Sequence, residues 1–212
     1  MLYISHRENN VGVLGPGIRY VIWTQGCKRR CPGCIFPAGQ AIDQNGYWMQ
    51  TGDILREIAD ISGLTGITIS GGEPFLQPKG LMELIKAIRE QTTLDIMLYS
   101  GFTLEELRGR HDTYVEYILA NIDLLIDGEY REELNHNTIY RGSDNQRIWF
   151  LSNKYKPFKH LMETTINRSI EFVYRENELF MIGIPANNFQ QTFWKAIERR
   201  EKRDSNERQE KL

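Results

Sequence analysis

Short β-branched strands alternate with amphipathic stretches through the first 130 residues, and this alternation is the strongest constraint on the fold. Residues 18–24 (IRYVIWT), 66–70 (GITIS), 94–100 (LDIMLYS) and 122–127 (IDLLID) read as strands, being short and rich in β-branched and aromatic side chains. Between them, residues 52–61 place apolar side chains at 54, 55, 58, 59 and 61, and residues 81–90 place them at 81, 82, 84, 85 and 88; both are helical spacings. Thr103 and Glu106 form a capping-box pattern, and 114–122 begins as a helix. Strand, loop and helix in repetition predict βαβ crossovers around a parallel sheet, and runs as apolar as IDLLI fit a sheet covered on both faces. The expected class is α/β.

The pattern changes after residue 150. Residues 169–185 (SIEFVYRENELFMIGIP) read as two strands around a turn near Glu176 and Asn177, a hairpin expected to close the sheet's edge. Residues 1–190 are expected to form one domain, followed by a charged helical tail at 191–212; residues 152–168 look like an insertion. The chain has no internal repeat. Of its 212 residues 41% are hydrophobic, enough for a core without covalent staples. A net charge of −2 calls for neither nucleic acid nor an anionic membrane, and no apolar run approaches the roughly 20 residues of a membrane span. The opening MLYISHRENN is too polar for an export signal, so a cytoplasmic protein with reduced thiols is expected.

Every loop that follows a predicted strand carries unusual residues: the cysteine run, then GGEP, SGFT and DGEY. In parallel α/β folds, ligands sit at the carboxyl ends of strands, so four such loops suggest one shared site. The chain's three cysteines, Cys27, Cys31 and Cys34, lie within TQGCKRRCPGC. Three readings compete. Structural zinc needs a second ligand pair, yet His6, His111, His136 and His160 show no ligand spacing. A CPGC redox pair leaves Cys27 without a role. An iron–sulfur cubane normally takes four thiolates, and with three it keeps an open iron able to bind something else. Gly26, Pro32, Gly33 and Pro37 let the loop curl around a bulky core; Lys28, Arg29 and Arg30 either set positive charge beside it or simply mark a solvated loop.

C-x₃-C-x₂-C after one strand, with GGEP after the next, resembles the radical S-adenosylmethionine superfamily. The resemblance implies that Cys27, Cys31 and Cys34 hold a [4Fe–4S] cluster whose remaining iron binds S-adenosylmethionine through its amino and carboxylate groups. It implies that Gly71, Gly72, Glu73 and Pro74 meet the methionine amino group, and that Gly33, Cys34, Ile35, Ser100 and Asp127 lie along the nucleotide. Many members carry an aromatic residue where this chain has Gly33. CPGC instead resembles the small activating enzymes of anaerobic ribonucleotide reductase, as do GPGIR (15–19), SGFTLEEL (100–107), IDLLIDGEY (122–130) and YRGSDNQRI (140–148).

The fold so implied is a partial, open (β/α) barrel. The implied activity is reductive cleavage of S-adenosylmethionine to a 5′-deoxyadenosyl radical, without a conventional acid or base, followed by hydrogen abstraction from a glycine of an anaerobic reductase or another glycyl radical enzyme. A flavodoxin or ferredoxin is the expected electron donor. Modification of a peptide or small molecule is the alternative target, and a zinc-stabilised interaction module is a third reading. Ser100 doubles as a turn serine, and Asp127 with Gly128 as a strand-ending turn. Arg141, Ser143, Asn145, Gln146 and Arg147 either order the site, meet a partner, or form only a hydrogen-bonded loop. Trp23, Trp48, Trp149 and Trp194 read as packing residues, and Gly15-Pro16-Gly17 as a turn into the first strand.

Overall fold

A computed structural model describes residues 1–200 apart from 167, 176, 188, 190, 194 and 198. Glu176 of the expected hairpin turn, Trp194 and residues 201–212 of the expected tail therefore lie outside the described residues.

Four parallel strands form the centre of an open mixed sheet: β2 (Arg19–Thr24), β4 (Gly66–Gly71), β5 (Asp95–Ser100) and β6 (Leu124–Asp127). Antiparallel β1 (Leu2–Val11) and β3 (Tyr47–Met49) extend it on one side, and antiparallel β7 (Arg147–Phe150) on the other. The order among the described residues is β3-β1-β2-β4-β5-β6-β7, so the sheet keeps two free edges and does not close. Helices α1 (Thr51–Ala59), α2 (Pro78–Gln91), α3 (Leu104–Arg108) and α4 (Thr113–Ala120) fill the crossovers. No helix among the described residues is long and apolar enough to cross a membrane.

The strands alternate strictly between two buried faces. Tyr20, Ile22, Ile67, Ile69, Ile96, Leu98 and Leu125 pack against Ile54 and Ile58 of α1, Leu81, Leu84, Ile85 and Ile88 of α2, and Val115 and Ile118 of α4. Each of these side chains contributes about 1.5–3 kcal/mol through burial. Val21 faces the other way, toward Val11, Leu14, Ile182 and Ile184, and Met97, Leu124 and Ile126 pack with Tyr155 and with Met162 of α5 (Lys159–Thr164). Cover on both sides explains why the central strands read as continuous apolar runs.

Two differences from the sequence reading have clear causes. Among the described residues, strands β8 (Ile170–Arg175) and β9 (Glu178–Gly183) pair only with each other, so they do not close the sheet's edge. Ile182 instead seats the hairpin on the face formed by Val11, Leu14 and Val21. Strand β1 escapes the pattern because its second half is the polar run HRENN. Its buried Glu8 is tolerated because Arg175, from β8, donates to it at 2.6 Å.

The GPGIR stretch belongs to this framework. Gly17 takes φ +72°, and any Cβ there would overlap the Thr65 hydroxyl. The turn delivers Arg19, fully buried, to the amino ends of the parallel strands. There its Nε donates to Thr68 Oγ1 at 3.0 Å, its Nη2 to the Ile67 carbonyl at 2.7 Å, and its Nη1 to Asp95. Asp95 also accepts from the Tyr155 hydroxyl at 2.7 Å. Removing one member of such a set strands the rest without water. Arg19→Met is therefore expected to lower unfolding stability by about 3–5 kcal/mol, measured by urea denaturation; a loss within error would show that the cluster is dispensable.

Candidate functional site

The carboxyl ends of β2, β4, β5 and β6 share one rim, and a cleft partly open to solvent lies above them. Its wall includes Cys27, Cys31, Cys34, Ile35, Gly71, Gly72, Glu73 and Ser100, all singled out from sequence. Gly33 lines an adjoining groove instead, with Cys31, Cys34, Tyr130 and Glu132. Pro74 is buried beneath the rim. Asp127, fully buried, does not line the cleft, whereas Gly128 does.

The cysteine loop is held by backbone bonds. Gly26 N–H donates to the Gly39 carbonyl at 2.9 Å, Cys27 N–H to Gln40 at 3.2 Å, and Cys34 N–H to Cys31 at 3.2 Å. Gln25 Nε2 donates to the carbonyls of Ala38 and Ala41, which closes the loop on itself. The GGEP segment then docks onto this loop. Gly72 N–H donates to the Thr24 carbonyl and Glu73 N–H to the Gly26 carbonyl, both at 2.8 Å. A Cβ at Gly71 would overlap the Thr24 backbone, and one at Gly72 the carbonyl oxygens of Gly26 and Gly39. Both glycines are therefore set by close approach of two chains.

Glu73 is 1% exposed and ties three loops together. Its Oε1 accepts from Phe75 N–H and Ser100 Oγ, each at 3.0 Å, and its Oε2 accepts from Gly101 N–H at 2.7 Å. A carboxylate has about four acceptor positions, so one stays free on Oε2. Burial pushes the Glu73 carboxyl up, against the pull of those donors. The Ser100 hydroxyl also accepts from Phe102 N–H at 3.0 Å.

Asp127 is spent on structure. It accepts from Leu104 N–H at 2.6 Å and takes a two-pronged contact from Arg147, at 3.0 and 2.6 Å. The RGSDNQR stretch ties its own loop to the one after β6, and its Gly142 and Gln146 line the cleft. Gln146 Oε1 accepts from Gly142 N–H at 2.7 Å while its Nε2 donates to the Gly128 carbonyl at 2.8 Å, and Asn145 Nδ2 donates to the Glu129 carbonyl at 2.8 Å.

The sequence reading missed Leu14, Arg29 as a wall residue, Phe36, Tyr99, Gly101, Tyr130 and Ile184, and assigned Trp23 to packing alone; all line the cleft. Gly101 and Tyr130 stand in the post-strand loops already marked as unusual. Leu14 and Ile184 come from segments whose approach no local pattern reveals. Trp48 is exposed, and Trp149 lies under the Arg147 guanidinium at 4.8 Å.

The three thiols are unpaired and half-buried. Burial pushes Cys27 up, partly offset by the backbone N–H groups of Arg29 and Arg30. It pushes Cys31 up to about 11, partly offset by Tyr130 N–H. Among the described residues, no group of three His, Cys, Asp or Glu is disposed around a single ion. The three thiols line one cleft, and three sulfurs, one per iron, suit a multi-iron core. A zinc site would need four ligands meeting at a point. His136 is held 2.7 Å from Asp144 and His6 stacks on Phe180, so neither approaches the thiols. The donor set therefore fits an iron–sulfur cluster.

Comparison with known proteins agrees. The model of the 4Fe–4S single cluster domain family matches residues 13–149, and the chain belongs to that family. Two similar proteins are the anaerobic ribonucleoside-triphosphate reductase-activating proteins of Enterobacteria phage T4 and Pasteurella multocida. The first is 32% identical over 154 residues, 70% of this chain and 92% of that protein; the second is 31% identical over 161 residues, 70% and 97%. The pyruvate formate-lyase-activating enzyme of Streptococcus mutans is 39% identical over 153 residues, 68% of this chain and 57% of that protein. The chain is thus an activating enzyme of the radical S-adenosylmethionine type.

The raised thiols carry a testable consequence. A thiol with an elevated pKa stays neutral, and unreactive, until the pH climbs through that value. In metal-free protein, iodoacetamide alkylation of Cys31 followed by peptide mass spectrometry is expected to rise with a midpoint near pH 11. A midpoint at or below about 8.5, the value of a free cysteine, would contradict the burial described here.

Proposed function

We propose that the chain reductively cleaves S-adenosylmethionine at a [4Fe–4S] cluster and so raises a glycyl radical on an anaerobic ribonucleotide reductase. One observation carries the reading: three half-buried thiols, in a chain with no fourth, share a cleft with a buried carboxylate at the carboxyl rim of the parallel strands. When bound, the cluster and S-adenosylmethionine supply one-electron cleavage to methionine and a 5′-deoxyadenosyl radical, the electron coming from a donor of the flavodoxin or ferredoxin type. Cys27, Cys31 and Cys34 would hold the cluster. Glu73, with one acceptor position left, would accept a hydrogen bond from the nucleotide's amino group. Leu14, Trp23, Ile35, Tyr99 and Ile184 give the cleft an apolar lining that excludes water and stray hydrogen donors. We read the open sheet as the partial barrel of the superfamily and the setting as cytoplasmic. The 39% identity to a pyruvate formate-lyase-activating enzyme supports a second reading, in which the target is another glycyl radical enzyme.

Anaerobic reconstitution is expected to load about four iron and four sulfide per chain, with Cys27→Ser, Cys31→Ser and Cys34→Ser each failing to hold the cluster. Adding S-adenosylmethionine and dithionite should release 5′-deoxyadenosine, and adding the reductase should give a glycyl-radical signal in electron paramagnetic resonance. A fully loaded cluster that never yields 5′-deoxyadenosine would overturn the proposal.

Asp127→Asn provides a structural contrast. It is expected to lower stability by about 1–3 kcal/mol through the lost Arg147 contact, measured by thermal unfolding. Its S-adenosylmethionine affinity, by equilibrium dialysis, should stay within about threefold of wild type; a loss beyond tenfold would return Asp127 to the nucleotide.

A further inference from the structure

We propose that the segment after β7, centred on residues 154–161, is a docking surface for an acidic face of the anaerobic ribonucleotide reductase. The inference rests on the activating-enzyme reading above and adds a partner contact outside the cleft.

The match to the cluster family ends at residue 149, so this segment lies beyond what the family shares. It is nevertheless firmly seated. The Tyr155 hydroxyl donates to Asp95 at 2.7 Å, and Met162 of α5 packs among Met97, Leu124 and Ile126. Arg141 Nη2 donates to the Glu163 carbonyl at 2.9 Å, and Ile139 N–H to the Thr165 carbonyl at 3.0 Å. Yet the seat leaves two large apolar side chains outside it, Phe158 at 52% and Leu161 at 63% exposure. Both line an apolar crevice together with Pro16, Ile139 and Tyr140. An exposed apolar residue alone is ordinary, but a group of them on a fixed concave surface marks an interaction site.

Charge states what fits there. The stretch KYKPFKHL (154–161) carries Lys154, Lys156, Lys159 and His160, all exposed, and no acid, in a chain of net charge −2. Lys154 stands 3.2 Å from Asp95, and Lys159 only 3.8 Å from Glu163 of the same helix. An apolar crevice beside lysines has the core and rim of a protein interface, and suits a partner that presents an apolar side chain among carboxylates. A nucleic-acid backbone has no apolar group to enter the crevice.

Position selects the partner. Pro16 and Gly17, in the crevice wall, lead into β2, and Tyr155 reaches Asp95, the first residue of β5. The crevice therefore lies at the amino ends of the parallel strands, while the thiols lie at the carboxyl ends. Strands of six residues, about 20 Å, separate the two. A one-electron carrier has to sit near the cluster, which this position does not allow. A large protein substrate has no such limit: the loop bearing its target enters the cleft, and a second contact on its body raises that loop's effective concentration.

The test uses the cluster-loaded full chain and the anaerobic ribonucleotide reductase of the same genome, with affinity measured by biolayer interferometry under anaerobic conditions. Lys156→Glu combined with Lys159→Glu is expected to weaken binding roughly 10- to 100-fold at low salt and much less at high salt. Phe158→Ser combined with Leu161→Ser should weaken it roughly 10-fold or more at both. The loss should appear in KM for the reductase, while kcat and the release of 5′-deoxyadenosine without reductase stay within about twofold of wild type. Iron content and melting temperature confirm that each variant is intact; should the Phe158 and Leu161 pair prove unstable, the exposed lysine pair decides. Unchanged affinity for the reductase in the intact variants would overturn the proposal. So would variants that keep the reductase but lose binding to phosphatidylglycerol vesicles, or lose a dimer seen by analytical ultracentrifugation; the surface would then serve a membrane or a second copy. Each of these results leaves the enzyme reading standing. Wild-type protein that cleaves S-adenosylmethionine yet neither binds the reductase nor raises a radical on it would defeat the choice of target, and this proposal with it.

Discussion

Two backbone hydrogen bonds hold the site together. The N–H groups of Gly72 and Glu73 close on the carbonyls of Thr24 and Gly26, and this contact seats the GGEP turn directly on the root of the cysteine loop. It requires glycine at 71 and 72, because side chains there would occupy the partner's backbone. Once the turn is seated, the Glu73 side chain can go only inward, where it bonds the loop after β5 through Ser100 and Gly101. One residue thus fixes the spacing of three rim loops. Without that docking the cysteine loop would keep only its internal bonds, and its placement against the GGEP turn would fall to whatever the thiols bind.

The electrostatics of the rim follow from the same packing. A buried carboxylate that accepts three hydrogen bonds, and thiols pushed upward by desolvation, form a pocket that disfavours its own negative charge. Such a pocket is completed by positive charge from outside. An iron core would neutralise the sulfurs, and the free acceptor position on Glu73 leaves room for one more donor. The cost is supported from below. The two apolar faces of the sheet bury more than a dozen Ile, Leu and Val side chains, each worth about 1.5–3 kcal/mol. A few kcal/mol of poorly solvated charge at the rim can therefore be carried.

Much of this was legible in the residues. Strands β2, β4, β5 and β6 announce themselves because burial on both faces makes them continuously apolar. Thr103 and Glu106 close the box that their spacing predicts. The post-strand loops do gather on one rim, because parallel strands share their carboxyl edge. What stayed hidden was whatever depends on distant partners. The polar half of β1 is a strand because Arg175, more than 160 residues away, compensates Glu8. The hairpin looked like an edge because periodicity reports pairing within it, and its seat on Val11, Leu14 and Val21 is a tertiary matter. Asp127 looked like a ligand because it ends a strand at the rim; its direction was decided by Arg147 and the amino end of α3.

Gly33 shows how such a partner can replace a motif residue. It takes φ +67°, and a Cβ there would overlap the carboxyl group of Glu132. An aromatic side chain there would carry backbone strain and would have to displace the Glu132 carboxyl group. The cleft does not lack aromatic surface in consequence. Trp23 comes from β2, Phe36 from the cysteine loop, Tyr99 from β5 and Tyr130 from the loop after β6. Tyr130 belongs to the same loop as Glu132, and its backbone N–H reaches Cys31. The segment that closes the space above Gly33 thus also brings an aromatic ring to the thiols. Loss of the aromatic residue in CPGC and the approach of the 128–132 loop are two sides of one packing solution.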